Sequence, residues 1–152
     1  MKTLIYIFFS MIVISCSCYD QNSTENLNKQ FDEGDNNITE KYWKLIELTG
    51  QQIKFDENQK KEIHIILKNE DNHFIGNGGC NNISGKYEMI EGNRIKFSKV
   101  ISTKMYCNNL ETEDRFLGVL DKVDNYTIQN DTLSLNKSKM ATLAKFIAVY
   151  LK

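Results

Sequence analysis

The chain has 152 residues, 41% hydrophobic and 26% charged, which is the composition of a globular protein of about one domain rather than a disordered chain. Its 19 basic and 20 acidic residues leave a formal charge of -1, so there is no concentrated basic surface to hold nucleic acid. Proline is absent, and asparagine and glycine are left to make the turns.

At the N-terminus, MKTLIYIFFSMIVISC, Lys2 supplies a positive charge ahead of an apolar run over residues 4–14. That run is shorter than the ~20 residues a helix needs to span a bilayer, but it suits the apolar region of a secretory signal. Val13-Ile14-Ser15-Cys16 resembles a bacterial lipobox, which implies cleavage before Cys16 and a diacylglycerol on its thiol. An ordinary signal peptide or a short uncleaved anchor is the alternative. The expectation is therefore a signal peptide over residues 1–15 and a protein anchored by lipid to the cell membrane or outer membrane of a bacterium. Residues 16–39, which include SCYDQNSTENLNKQFDEGDNNIT, are polar and acidic without apolar patterning, and read as a tether. As coil, such a tether separates its ends by roughly 25 Å. Outside the cytoplasmic membrane a disulfide can persist, and with Cys16 lipidated and Cys18 in the tether the expected pair is Cys80 with Cys107.

The folded domain is expected over residues 40–152. EIHIILK alternates, with Ile63, Ile65 and Leu67 on one face and Glu62, His64 and Lys68 on the other. Asn69 to Asn72 turns this strand into HFIGNG as a hairpin. ISGKYEM then places Ile83, Gly85, Tyr87 and Met89 on one face, and Glu91-Gly92-Asn93 turns the chain into RIKFS, with Ile95 and Phe97 inward. After Cys107 the period changes. NNLETEDRFLGVLDKV offers Asn108 or Asn109 as N-cap, Glu111, Glu113 and Asp114 in the first turn, and Phe116, Leu117, Leu120 and Val123 at helical spacing. YTIQNDTLSLN forms a hairpin about Asn130-Asp131, with Leu133 and Leu135 alternating. LAKFIAVY has helical propensity, but a β-rich domain needs a last strand and Ile147, Val149 and Tyr150 suit one. The expected fold is mainly β, of the α+β kind. One antiparallel sheet of about eight strands curls into a half-barrel or small barrel with one packed helix.

Several stretches taken in order resemble a known family. They are Trp43-Lys44-Leu45, the loop Gly76-Asn77-Gly78-Gly79-Cys80-Asn81-Asn82, the strand Ser84-Gly85-Lys86-Tyr87, and the segment Thr103-Lys104-Met105-Tyr106-Cys107. Glu111, the Phe116-Leu117 helix and the Leu133-Ser134-Leu135 hairpin complete the order. Over residues 41 to 150 this is similar to the META domain, or heat-shock HslJ-like family, marked by a G-C-N loop, an S-G-x-Y strand and a T-x-M-x-C segment. Tyr106 stands where the family commonly has alanine. The resemblance implies a small antiparallel β-domain of the bacterial envelope, associated with stress tolerance and with no established reaction. It makes Gly79, Asn81, Gly85, Tyr87, Thr103 and Met105 fold-defining residues and carries over no catalytic residue.

Read from the residues, Cys80 could be a nucleophile, a metal ligand, a disulfide partner or a small buried hydrophobe. A nucleophile needs a base, and His64 and His73 are the only histidines, both on predicted strand or hairpin positions. A zinc site would need both histidines to converge on Cys80 and Cys107, which lack the two-residue spacing of paired zinc cysteines. Gly76, Gly78 and Gly79 lack the lysine and helix start of a phosphate loop. A disulfide or buried thiol pair joining Cys80 and Cys107 at a structural corner is the expected arrangement. No catalytic residue, metal or cofactor is assigned. The expected function is a lipid-anchored envelope protein with a non-catalytic binding or stress-tolerance module. It would be a monomer that meets the membrane through its lipid and binds an envelope protein or ligand. An envelope inhibitor of lysozyme or protease is the alternative, suggested by Ser84-Gly85-Lys86-Tyr87. A hydrolase using Cys80 or the Glu111 cluster comes after it.

Overall fold

A computed structural model describes residues 37–54, 61–107, 110–138 and 141–150. The expected signal peptide, Cys16, Cys18 and most of the expected tether lie outside the described residues, as do Asn108 and Asn109. Ile38 and Thr39, assigned by composition to the tether, are buried, and Ile38 joins the core.

Nine strands form one antiparallel sheet: β1 Tyr42–Leu48, β2 Gln51–Gln52, β3 His64–Lys68, β4 His73–Asn77, β5 Asn82–Ile90, β6 Arg94–Ser102, β7 Asn125–Gln129, β8 Thr132–Asn136 and β9 Thr142–Val149. Neighbours in sequence are neighbours in the sheet, except that β3 pairs with β1, beside which the two-residue β2 also lies. Pairing of β1 with β9 brings the two ends together, so the sheet curls into a ring. The ring is thinnest between β6 and β7, which share one register pair, Arg94 with Asn125. Helix α1, Glu111–Lys122, falls between these strands in sequence and packs on β6 and β9. The half-barrel with one packed helix is the architecture expected from the sequence.

Alternation explains the core. In β3, Ile65 and Leu67 are fully buried while His64, Ile66 and Lys68 face outward. In β8, Leu133 and Leu135 are buried, and they pair with Phe146 and Ala144 of β9. Trp43 is sealed in the interior, where its indole N–H donates to the Ile38 carbonyl at 2.7 Å. Phe116 reaches from α1 to Phe146, with ring centroids 6.1 Å apart. Each such buried side chain contributes about 1.5–3 kcal/mol of transfer free energy.

Two readings of strand faces are refined. Met89 was placed with Ile83 and Tyr87, yet it is exposed, because β4 stops at the His73–Lys86 pair and leaves the tip of β5 uncovered on that side. In β9 the inward residues are Ala144, Phe146 and Ala148, while Ile147 points out. Helical propensity loses in LAKFIAVY because β8 and β1 both offer ladders to it.

Gly85 shows why one motif position tolerates no side chain. It pairs with Phe74, and a Cβ there would lie 2.6 Å from the Phe74 ring and 2.9 Å from the Ser98 carbonyl. Tyr87, two residues on, is buried and donates its hydroxyl proton to the Lys68 carbonyl at 3.0 Å.

On the outer side, Tyr42 stacks on His64 at 4.3 Å and donates a hydrogen bond to Glu62, which also pairs with Lys44. Burial, then the charge of Glu62 and that hydrogen bond, push the Tyr42 phenol from 10.0 up to about 12. The neutral phenol is therefore favoured in the folded state. Its contribution is complete below pH 10 and is lost as pH rises towards 12. Melting temperature should fall over that alkaline window, and Tyr42→Phe should make the fall shallower in a thermal melt series; an unchanged slope would contradict the assignment.

Candidate functional site

The G-C-N loop connects β4 to β5 and is wholly buried from Asn77 to Asn81. The Asn77 side-chain oxygen accepts from the Gly79 N–H at 2.8 Å, and the Gly78 N–H donates to the Asn81 carbonyl at 2.9 Å, so the loop closes on itself. Gly79 takes φ 110°, a backbone conformation that side chains disfavour. Gly78 is needed for space, since a Cβ would fall 2.6 Å from Cγ of Glu113.

Glu113 sits in the first turn of α1 and is buried. One carboxylate oxygen accepts from the Asn81 N–H at 2.7 Å and from the Cys80 N–H at 3.2 Å. The other accepts from the Asn81 side-chain amide at 2.7 Å. Asn81 in turn accepts from the Thr103 hydroxyl at 2.9 Å and from the Met105 N–H at 2.7 Å. The Thr103 hydroxyl also accepts from the Asn82 N–H at 3.2 Å. Loop, helix and the segment after β6 therefore meet at a single asparagine. A disulfide between Cys80 and Cys107, with Cα atoms 6.3 Å apart, fixes the same junction covalently.

This geometry answers the question Cys80 raised: of the readings open to it, the structure realises the disulfide, and Cys80 has no thiol to ionise. The histidines are elsewhere engaged. His64 donates from Nδ1 to the Glu62 carbonyl at 2.9 Å and His73 donates to that of Glu70 at 2.7 Å. Among the described residues, no three His, Cys, Asp or Glu side chains converge as metal ligands.

Of the residues singled out in the sequence, Gly79, Cys80, Asn81, Thr103, Met105 and Cys107 come together here, whereas Gly85 and Tyr87 act further along β5. The three acids of the helix's first turn do not act alike. Glu111 and Asp114 are exposed near its N-terminus, where the helix dipole favours them. Glu113 is the corner's acceptor, a role that dipole reasoning missed. The signal was indirect: a buried turn frees backbone N–H groups that must find an acceptor. The N-cap is Leu110, without a side-chain bond, rather than Asn108 or Asn109.

Outside the sheet, β3 to β6 carry a groove of about 490 Å3 lined by Lys61, His64, Ile75, Asn82, Ser84 and Ile101 among others. Ile75, Ser84 and Ile101 are register partners on three adjacent strands and form its floor.

A curled antiparallel meander with one helix, its motif residues joined in a buried corner, defines a small β-domain held by architectural motifs. The chain belongs to the META-domain family, whose model matches residues 36–149. Among curated proteins, none matches it in sequence. The fold is similar to the solution structure of a protein from Burkholderia xenovorans, with TM-score 0.60 and 20% identity over 74% of this chain and 83% of that one. It is also similar to a crystal structure of a DUF4847-family protein from Bacteroides vulgatus, with TM-score 0.52 and 13% identity over 72% and 93%. These likenesses establish the fold alone.

Proposed function

We propose that the chain is a lipid-anchored protein of a bacterial envelope whose META domain acts as a non-catalytic binding module in stress tolerance. The observation that carries this reading is the burial and internal pairing of the motif corner. Its one carboxylate accepts three hydrogen bonds from fixed donors in a buried site, and its cysteines are joined to each other. A general base needs a free, reachable lone pair, and a nucleophilic cysteine needs a thiolate. The open groove lies on the outer face of the sheet and meets the corner at Asn77, Asn82 and Thr103, not at Glu113 or the disulfide. The lipobox-like Val13-Ile14-Ser15-Cys16 supports the anchor.

Complementation of a strain lacking the protein tests the reading under envelope stress. Mass spectrometry of the mature chain should find residues 1–15 removed and Cys16 diacylated. Cys16→Ala should release the protein from membranes and abolish rescue, whereas a His73→Ala, Glu111→Gln double variant should rescue fully. An unmodified Cys16, or loss of rescue in the folded double variant, would refute it.

A further inference from the structure

We propose that the groove outside β3–β6 binds an acidic, extended peptide segment of a partner protein, with a carboxylate meeting Lys61 and an aliphatic side chain lying across Ile75 and Ile101. This deepens the binding-module reading and rests on it.

The floor supplies the first argument. Ile101 is 66% exposed and Ile75 40%, and the short Ser84 between them makes a trough with aliphatic walls. Exposed large apolar side chains that are contiguous mark interaction sites more often than scattered ones do.

Charge supplies the second. Among the described residues, Lys61 and His64 are the only ionisable side chains lining the groove, and no carboxylate lines it. Lys61 contacts the neutral side-chain oxygen of Asn82 at 3.2 Å, and among the described residues it has no ion-pair partner. On a chain of net charge -1, this is a local site for an anion. Ser84, Ser102 and Thr103 add hydroxyls to the lining.

The chemistry also chooses between anionic ligands. Acidic sugars are gripped through ring faces laid on aromatic side chains. Among the described residues the only ring lining this groove is His64, and Tyr42 already stacks on it at 4.3 Å. Branched aliphatic walls match a valine or isoleucine side chain instead. One lysine is too little for nucleic acid, whose affinity comes from many phosphate contacts. A volume of about 490 Å3 suits a few residues of extended chain.

The test uses the isotope-labelled full chain in detergent micelles, titrated by NMR with acetyl-Val-Glu-Val-Glu-amide, acetyl-Val-Gln-Val-Gln-amide and glucuronic acid. The glutamate peptide should shift the amides of Ile75, Asn82, Ser84 and Ile101, and should bind more weakly as salt rises. Lys61→Met should weaken binding about fivefold and Ile101→Ser about tenfold, while Lys122→Met should leave it unchanged. Both groove variants alter exposed positions, and retained amide spectra would verify their folds. Equal binding of the two peptides, preference for glucuronic acid, shifts outside the groove, or no binding would each overturn the proposal. If the anchored chain still rescues envelope stress with both groove residues replaced, the groove assignment fails while the binding-module reading stands.

Discussion

Glu113→Ala is expected to cost about 4 kcal/mol of stability and to lower the melting temperature by roughly 15 °C, as followed by circular dichroism. Three donors lose their acceptor together: the Cys80 and Asn81 N–H groups and the Asn81 amide. A buried donor left unsatisfied costs about 1–3 kcal/mol, and Asn81, at 3% exposure, has no water to replace the carboxylate. The removed side chain also leaves space beside Gly78, whose chain approaches Glu113 closely. Glu113→Gln keeps the shape and one accepting oxygen but turns an NH2 group towards the Asn81 amide, so about half the loss is expected. A loss below about 1 kcal/mol for alanine would mean the loop finds other acceptors.

Removing the disulfide should have the next largest effect. The bond closes a loop of 27 residues, for which chain entropy gives about 3.5 kcal/mol at 25 °C. Cys80→Ser with Cys107→Ser, or reduction with dithiothreitol, should lower the unfolding free energy by that amount, read as a lower denaturation midpoint at unchanged slope. In the oxidised wild type Cys80 and Cys107 should be unaffected by alkylating reagents. The three hydrogen bonds of the Asn81 side chain do not depend on the disulfide and are expected to keep the segment after β6 near the loop in the reduced protein. Because Cys80 belongs to both devices, the losses should not add: the triple variant should fall short of the sum by about 0.5–3 kcal/mol. Equal midpoints in oxidised and reduced protein would contradict a stabilising role for the bond.

Much of the fold could be read from residue patterns because local and global preferences agree. Ile65 and Leu67, and Leu133 and Leu135, alternate in sequence and are the side chains found buried. Phe116 and Leu120 repeat at helical spacing and face the core. Met89 failed because alternation reports which side of a strand a residue takes, not whether a neighbouring strand extends far enough to cover it. Glu113 failed for a related reason. Its sequence context, among Glu111 and Asp114, predicts a solvated helix start, and only the long-range approach of the G-C-N loop turns it into a buried acceptor. Asn81 and Thr103 were recognisable as motif positions through family resemblance, but their mutual hydrogen bond joins residues 22 apart and has no local signature. The groove was illegible for the same reason. Ile75, Ser84 and Ile101 become neighbours only through strand register, including the slip between Ser84 and Lys86 that resets β6.

Hydrogen exchange at the Cys80 and Asn81 amides measures most directly whether the motif corner is fixed architecture. Bound to a buried carboxylate, both should exchange as slowly as the amides of Ile65 and Phe146, and both should exchange far faster in Glu113→Ala. Exchange at the rate of an open loop in the wild-type protein would show a corner free to move and expose its groups, contradicting the account.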